Sequence, residues 1–290
     1  MRKQAVALLV HRDLSQVNAL IQILQSTFDV YVHIDKKSDI KPEHVTGPNV
    51  WKKFNVHWGG YDMVEATMFL YKQILATHIP YTHVILLSGD SLPVKSNRII
   101  SEFLSNRAGV SFLENKVADY VRLERRRLFW FNEDLKKRAK GIRKFLNSYR
   151  MIRWFQRRFN IWRSIKGFER TGSQWTILSL RHVQHLVDNC NLSQYRLMAV
   201  PDESFVQNHF TNFQLPHERN LIYAHWPGKK SFSPNYIDES TFVSLIDSPY
   251  LFARKFESEA VSVRKSRLLK VLQQIQRQTE IPQAQLQYMK

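Results

Sequence analysis

Residues 200–205 read VPDESF, and there two adjacent carboxylates, Asp202 and Glu203, follow a proline with no Lys or Arg beside them. A carboxylate without cationic neighbours keeps its ordinary basicity, is ionised at neutral pH and can take a proton from a hydroxyl. The same residues admit a plainer reading. Asp202 would cap the helix that ESFVQNHF should form, and Glu203 would be an exposed first-turn carboxylate favoured by the helix dipole. No GxGxxG follows an early apolar run and no GxxxxGK[ST] occurs, so neither a dinucleotide fingerprint nor a P-loop is present.

The elements that must hold such a site can be read along the first third of the chain. AVALLVH, DVYVHID and THVILLSGD have the apolar, β-branched character of buried strands, and LSQVNALIQILQS, VEATMFLYKQILAT and NRIISEFLSN have helical spacing. Strand and helix in alternation predict an α/β fold with a central, mostly parallel sheet and helices on both faces. Ligands in such sheets bind at the carboxyl ends of the strands, which here read Val10-His11, His33-Ile34-Asp35, Trp58-Gly59-Gly60 and Ser88-Gly89-Asp90. Further on, GSQWTILSLRHVQHLVDNC reads as a turn, a strand and a helix, and NLIYAHW as a strand. His33, inside a strand, reads as a hydrogen-bonded core histidine rather than a metal ligand.

Composition sets outer bounds. At 290 residues and 43% apolar content the chain can bury a large core, and no apolar run approaches the roughly 18 residues of a membrane span. AVALLV is too short even for a signal-peptide core and reads as the first strand. The one cysteine, Cys190, forbids an internal disulfide and reads as an inert core thiol suited to a reducing compartment. With 43 Lys and Arg against 25 Asp and Glu, the formal net charge of +18 calls for a polyanionic partner. Residues 120–170 hold 17 of the cations and 4 of the acids. Within them Ile152, Phe155, Phe159 and Trp162 recur every three or four positions beside Arg153, Arg157 and Arg158, an amphipathic helix with an arginine rim suited to an anionic bilayer. A helix docked on the domain with a solvated basic face is the alternative. No nucleic-acid-binding module or repeat is present, so nucleic acid is not expected as a partner.

The motifs VHIDKKSD, VHWGGYDMVEA, LLSGDSLPVKS, GSQWTILS, VPDESF and LFARKF follow one another from about Ala5 to Phe256. In this order they closely resemble the core-2/I-branching β-1,6-N-acetylglucosaminyltransferase family, which also contains the peptide xylosyltransferases. The resemblance implies a GT-A-like glycosyltransferase fold over residues 1–256, with 120–170 as a basic helical insertion and 257–290 as a basic C-terminal helix and tail. It also implies inverting transfer from a UDP-sugar with no divalent metal and no other cofactor. Consistent with that, the chain's 12 aspartates include no pair separated by one residue, so the Asp-x-Asp grip that most enzymes of this fold use for a cation is missing. The departing diphosphate would then need protein cations.

The resemblance also assigns residues. Glu203 aligns with the family's base, which takes the proton from the acceptor hydroxyl as it attacks the anomeric carbon. Lys255 of LFARKF aligns with its diphosphate cation, and Lys230 or Lys229 of PGKK is the candidate for a second. Val10, His11 and Asp35 fall at the uridine, Trp58 is the ring placed to stack on uracil, and Asp90 lies near the donor sugar. Trp175 and Trp226 are candidate acceptor platforms, and each would also serve as a core tryptophan. Without an anchor or paired cysteines, the chain reads as a bacterial, cytoplasmic relative, peripheral on the inner face of the membrane. The expected donor is UDP-GlcNAc and the expected acceptor a saccharide or lipid-linked oligosaccharide in surface glycan synthesis. UDP-xylose, UDP-glucose or UDP-galactose are alternative donors, and a non-catalytic protein binding polyanions or membrane surfaces is a further alternative.

Overall fold

The computed structural model describes residues 3–130, 149–226, 234–257 and 275–277. Its strands are β1 (Ala5–Val10), β2 (Asp29–Ile34), β3 (Asn49–Trp51), β4 (His83–Ser88), β5 (Ser91–Pro93), β6 (Ser111–Phe112), β7 (Lys116–Val117), β8 (Arg170–Thr171), β9 (Ile177–Ser179), β10 (His217–Glu218), β11 (Ile222–Ala224) and β12 (Phe252–Arg254). The helices are α1 (Leu14–Leu24), α2 (Tyr61–Leu75), α3 (Asn97–Asn106), α4 (Tyr120–Arg127), α5 (Tyr149–Arg158), α6 (Leu180–Asn189), α7 (Phe205–Asn212) and α8 (Glu239–Ile246). None of them is long and apolar enough to cross a membrane.

The main sheet runs β10-β6-β9-β4-β1-β2-β3. Strand β1 shows why helices must cover both sides of it. Val6, Leu8 and Val10 enter one core with Val17, Leu20, Ile21 and Leu24 of α1, while Ala5, Ala7 and Leu9 enter a second with Val64, Leu70, Tyr71 and Ile74 of α2. A strand apolar at every position has no face to give to water, so the period-two geometry sends its side chains alternately into two cores. Local signals start the helices where expected: Asp13 caps α1 by accepting from Gln16 N at 3.2 Å, and Ser96 caps α3 from Ile99 N at 3.3 Å.

The α/β class with a mostly parallel sheet is therefore as the sequence predicts, with three departures. Strand β9 inserts antiparallel between β4 and β6. A second sheet, β11-β12-β5, pairs β12 antiparallel to β5. The third strand ends at Trp51, so Trp58 is not at a strand end but in the loop before α2. Cys190 is partly buried, and burial pushes its thiol up to about 11, which leaves it protonated and inert. The tail beyond Glu257, apart from residues 275–277, and residues 131–148 of the basic segment lie outside the described residues.

Candidate active site

Strands β1, β2 and β4 are parallel, so their last residues lie along one edge of the sheet. At that edge the β4–β5 turn is pressed against β1: Gly89 N donates to Leu9 O at 3.0 Å, and a Cβ on Gly89 would stand 3.1 Å from Val17. The turn delivers Asp90 into the sheet edge. The antiparallel register of β12 on β5 sets Arg254 opposite Ser91, and with it Lys255.

Asp90, almost completely buried, is the hub of this cluster. It accepts from Ser88 Oγ, and its oxygens lie 3.4 Å from Arg254 Nη2, 3.9 Å from Lys255 Nζ and 3.9 Å from Arg12 Nη2. Burial alone would raise its pKa, but Arg254, the Ser88 hydroxyl, Lys255 and Arg12 together outweigh that and hold the carboxyl below the usual range. The cluster thus gathers three cations around one anion. Arg254 donates through Nε to Ser88 Oγ at 3.1 Å and lies 4.6 Å above the centroid of Trp175. Lys255 Nζ sits 5.4 Å from the ring of Tyr236, whose hydroxyl accepts from Arg12 at 3.2 Å.

His11, directly after β1, feels Arg12, Asp90, Lys255 and Asp35. Part of its ring reaches solvent, yet the surrounding protein lowers its pKa, with Arg12 and Lys255 acting the same way and Asp90 and Asp35 opposing, so the imidazole is neutral at neutral pH. Asp35 uses Oδ1 to accept from Lys37 N and Val56 N, each at 3.0 Å, and so ties the end of β2 to the loop that carries Trp58. His33 accepts from Phe54 N at 3.1 Å and burial depresses it to about 4, as suits a core histidine. Val10, His11, Asp35, Asp90 and Lys255 are thereby brought together. Trp58 is half exposed, and the carbonyl of its neighbour Gly59 (φ +66°) accepts from Val200 N at 3.0 Å.

Val200 itself has φ 53°, a left-handed conformation that a β-branched residue adopts only when its surroundings fix it. It introduces the 3₁₀ turn Pro201–Glu203. The expected cap is not there: α7 begins at Ser204 without a side-chain cap bond, and Asp202 is instead buried within the turn. Glu203 is also not remote from cations. Arg122, Arg125 and Arg126 on α4 are near enough to act on its charge, which the local sequence did not reveal. Burial nevertheless dominates and raises the carboxyl above the ordinary glutamate range, with Glu114 adding to the rise against the three arginines. Arg126 is buried, donates to Phe168 O and Arg170 O at 2.8 Å each, and burial lowers it to about 10.

One short segment joins the two halves. Glu203 O accepts from Gly172 N at 3.1 Å, and Gly172 has no room for a side chain because a Cβ would overlap the carbonyl of Glu114. Three residues later Trp175 lies beneath Arg254. Three residues of backbone span at most about 11 Å, and Thr176 O, accepting from Leu86 N at 2.9 Å, fixes this segment to β4. The acidic turn and the cationic cluster therefore border the same sheet edge.

The model of the Core-2/I-branching enzyme family matches residues 5–245. The chain belongs to that family. N-acetyllactosaminide beta-1,6-N-acetylglucosaminyl-transferase of Homo sapiens is 27% identical over 115 residues, which cover 36% of this chain and 29% of the human protein. The match thus spans under a third of that relative's length. Among solved structures, 4-diphosphocytidyl-2C-methyl-D-erythritol synthase superposes with a TM-score of 0.39 at 10% identity, covering 85% of this chain and 98% of that one. A putative glucose-1-phosphate thymidylyltransferase from Bacillus anthracis in complex with a sucrose gives 0.36 at 9% identity, covering 74% and 86%. At these scores neither likeness bears on the site.

In this Core-2/I-branching enzyme the matched region stops before LFARKF, so the Arg254–Lys255 pair stands on its own geometry. Arg254, Arg12, Tyr236 and Arg126 were not singled out by sequence. The signals were local for two of them, Arg254 beside Lys255 and Arg12 beside His11; nothing local marked Tyr236 or Arg126, which reach the site from distant elements. Trp175 packs against both cores and presents a face to the Arg254 guanidinium. Trp226 is half exposed at the end of the segment that follows β11. Lys229 and Lys230 lie outside the described residues. Among the described residues no three His, Cys, Asp or Glu side chains are grouped to hold a metal ion.

Proposed function

We propose that this enzyme is an inverting glycosyltransferase that moves N-acetylglucosamine from UDP-GlcNAc to a saccharide hydroxyl, forming a β-linkage, β-1,6 by family resemblance, in surface glycan synthesis. The observation that carries this reading is the placement of a basic carboxylate, Glu203, and a three-cation cluster at one sheet edge, joined by residues 172–175. Glu203 takes the proton while the acceptor oxygen bonds to the anomeric carbon on the face opposite UDP. The bond from that carbon to the diphosphate oxygen breaks, and UDP leaves with the electron pair.

Charge that develops on the diphosphate is met by Lys255 and Arg254, with Arg12 behind them, in a buried setting where fixed cations act strongly. This set serves in place of a divalent ion, and with the missing Asp-x-Asp pair it supports metal-independent transfer. Val10, His11 and Asp35 line the uridine side, with Trp58 as the ring on the base. Asp90 orients the cations beside the donor sugar. Trp175 and Trp226 remain the acceptor-side candidates.

The test is UDP release with UDP-GlcNAc, UDP-xylose, UDP-glucose and UDP-galactose in turn, with a saccharide acceptor. The reading predicts the highest kcat/KM for UDP-GlcNAc. A different preferred sugar overturns the donor assignment, and absence of UDP binding by calorimetry overturns the function.

A further inference from the structure

Helix α5 is amphipathic in sequence, and it docks on the domain with its aromatic residues turned outward. Gln156 is 4% exposed and both donates to and accepts from the backbone of Phe129, at 2.9 and 2.7 Å. Arg153 and Arg157 are tied to Glu124 of α4. The aromatic residues point away: Trp154, Phe155 and Phe159 are 63%, 50% and 58% exposed, and Ile161 and Trp162 continue the exposed surface. An amide has been given the inward position and the large hydrophobes the outward one. That arrangement costs hydrophobic stabilisation in water and calls for an external apolar surface.

The charge around this face chooses the surface. Residues 149–168 contain six Lys and Arg and no Asp or Glu, and Arg158 and Lys166 are exposed. Tryptophan and phenylalanine beside arginine fit the boundary between anionic headgroups and acyl chains, where the rings enter and the guanidiniums meet phosphate. We propose that the exposed aromatic face of α5 and the following residues to Trp162 dock on an anionic lipid bilayer. Because α5 is bound to α4, and α4 carries the arginines that face Glu203, docking would hold the acceptor side of the site at the membrane; only that last consequence rests on the proposed transfer.

Vesicle co-sedimentation of the full chain without substrates tests the docking. Phosphatidylcholine vesicles containing phosphatidylglycerol should bind the protein, and phosphatidylcholine alone should not. Binding should weaken with added salt. The triple variant Trp154→Ser, Phe155→Ser, Phe159→Ser should lose about tenfold or more in partitioning, with its melting temperature unchanged because all three side chains are exposed. Arg158→Glu should weaken binding to the phosphatidylglycerol vesicles. Equal partitioning of the triple variant, or no wild-type binding, overturns the proposal. So does a concentration-dependent dimer by light scattering that the triple variant abolishes while vesicles are ignored, since a second copy would then be the occupant.

Discussion

The guanidinium of Arg254 rests 4.6 Å above the centroid of Trp175 while its Nε donates to Ser88 at 3.1 Å. A planar cation held from beneath and from one edge is fixed in orientation before any diphosphate arrives. Stacking of this kind is worth about 1–2 kcal/mol when desolvated. Arg254→Lys keeps the charge and loses the plane, and should raise KM for the donor about tenfold while kcat changes less. Equal KM values in the two proteins would show that orientation at residue 254 is irrelevant.

Glu203→Gln should lower kcat by about 10²–10⁴-fold, the usual contribution of a positioned base. Because the Glu203 pKa is raised, the acid limb of kcat/KM should lie above the ordinary glutamate value, and the rate should fall as pH drops through it. Arg125→Gln removes a charge that favours the ionised form, and should therefore move that limb further up. A pH–rate series on the two proteins decides; a limb that stays put removes Arg125 from the account.

The same carboxyl makes a separate thermodynamic statement. A folded-state pKa above the unfolded one means that ionising Glu203 costs stability at neutral pH. Glu203→Gln should melt higher than wild type at pH 7, and the two should converge as pH falls below the unfolded glutamate value, where wild type is protonated in both states. Calorimetric melting points across that range read this directly, and a less stable Gln variant at pH 7 contradicts the burial argument.

Chelation separates cation chemistry from side-chain chemistry. With EDTA present and no added metal, turnover should match that of the untreated enzyme, since Arg254, Lys255 and Arg12 are already in place. Loss of activity restored by Mn²⁺ or Mg²⁺ would refute metal independence.

Gly172→Ala forces a methyl group into the carbonyl of Glu114 and strains the bond from Gly172 N to Glu203 O. Overpacking against backbone should cost about 1–3 kcal/mol and lower kcat by displacing Glu203. A variant with wild-type melting and wild-type kcat would mean that this contact is not structural.

Much of the scaffold was legible because β1, β2, β4 and the helices between them obey simple periods. Candidate site residues were legible at the ends of those strands, as with His11, Asp35 and Asp90, and in the short motifs VPDESF and LFARKF, as with Glu203 and Lys255. The approach of α4 to Glu203 was hidden, since no local pattern in YVRLERRR encodes a contact with a turn some 80 residues away. The strand β12 was equally silent: three residues are too few for a period, and its partner β5 is three residues long as well. On α5 the apolar spacing was legible as an outward face with an arginine rim, but the inward contact was not, because Gln156 found two backbone partners at Phe129 that no local pattern encodes.

Arg254 meets Ser88 across a sequence separation of 166 residues. As the polypeptide leaves the ribosome, β1, β2 and β4 can associate long before β12 is synthesised. Asp90 can therefore meet Arg12 as soon as β1 and β4 pair, but it waits for Arg254 and Lys255 until β12 is made, and the three-cation cluster is completed only when that strand joins the sheet.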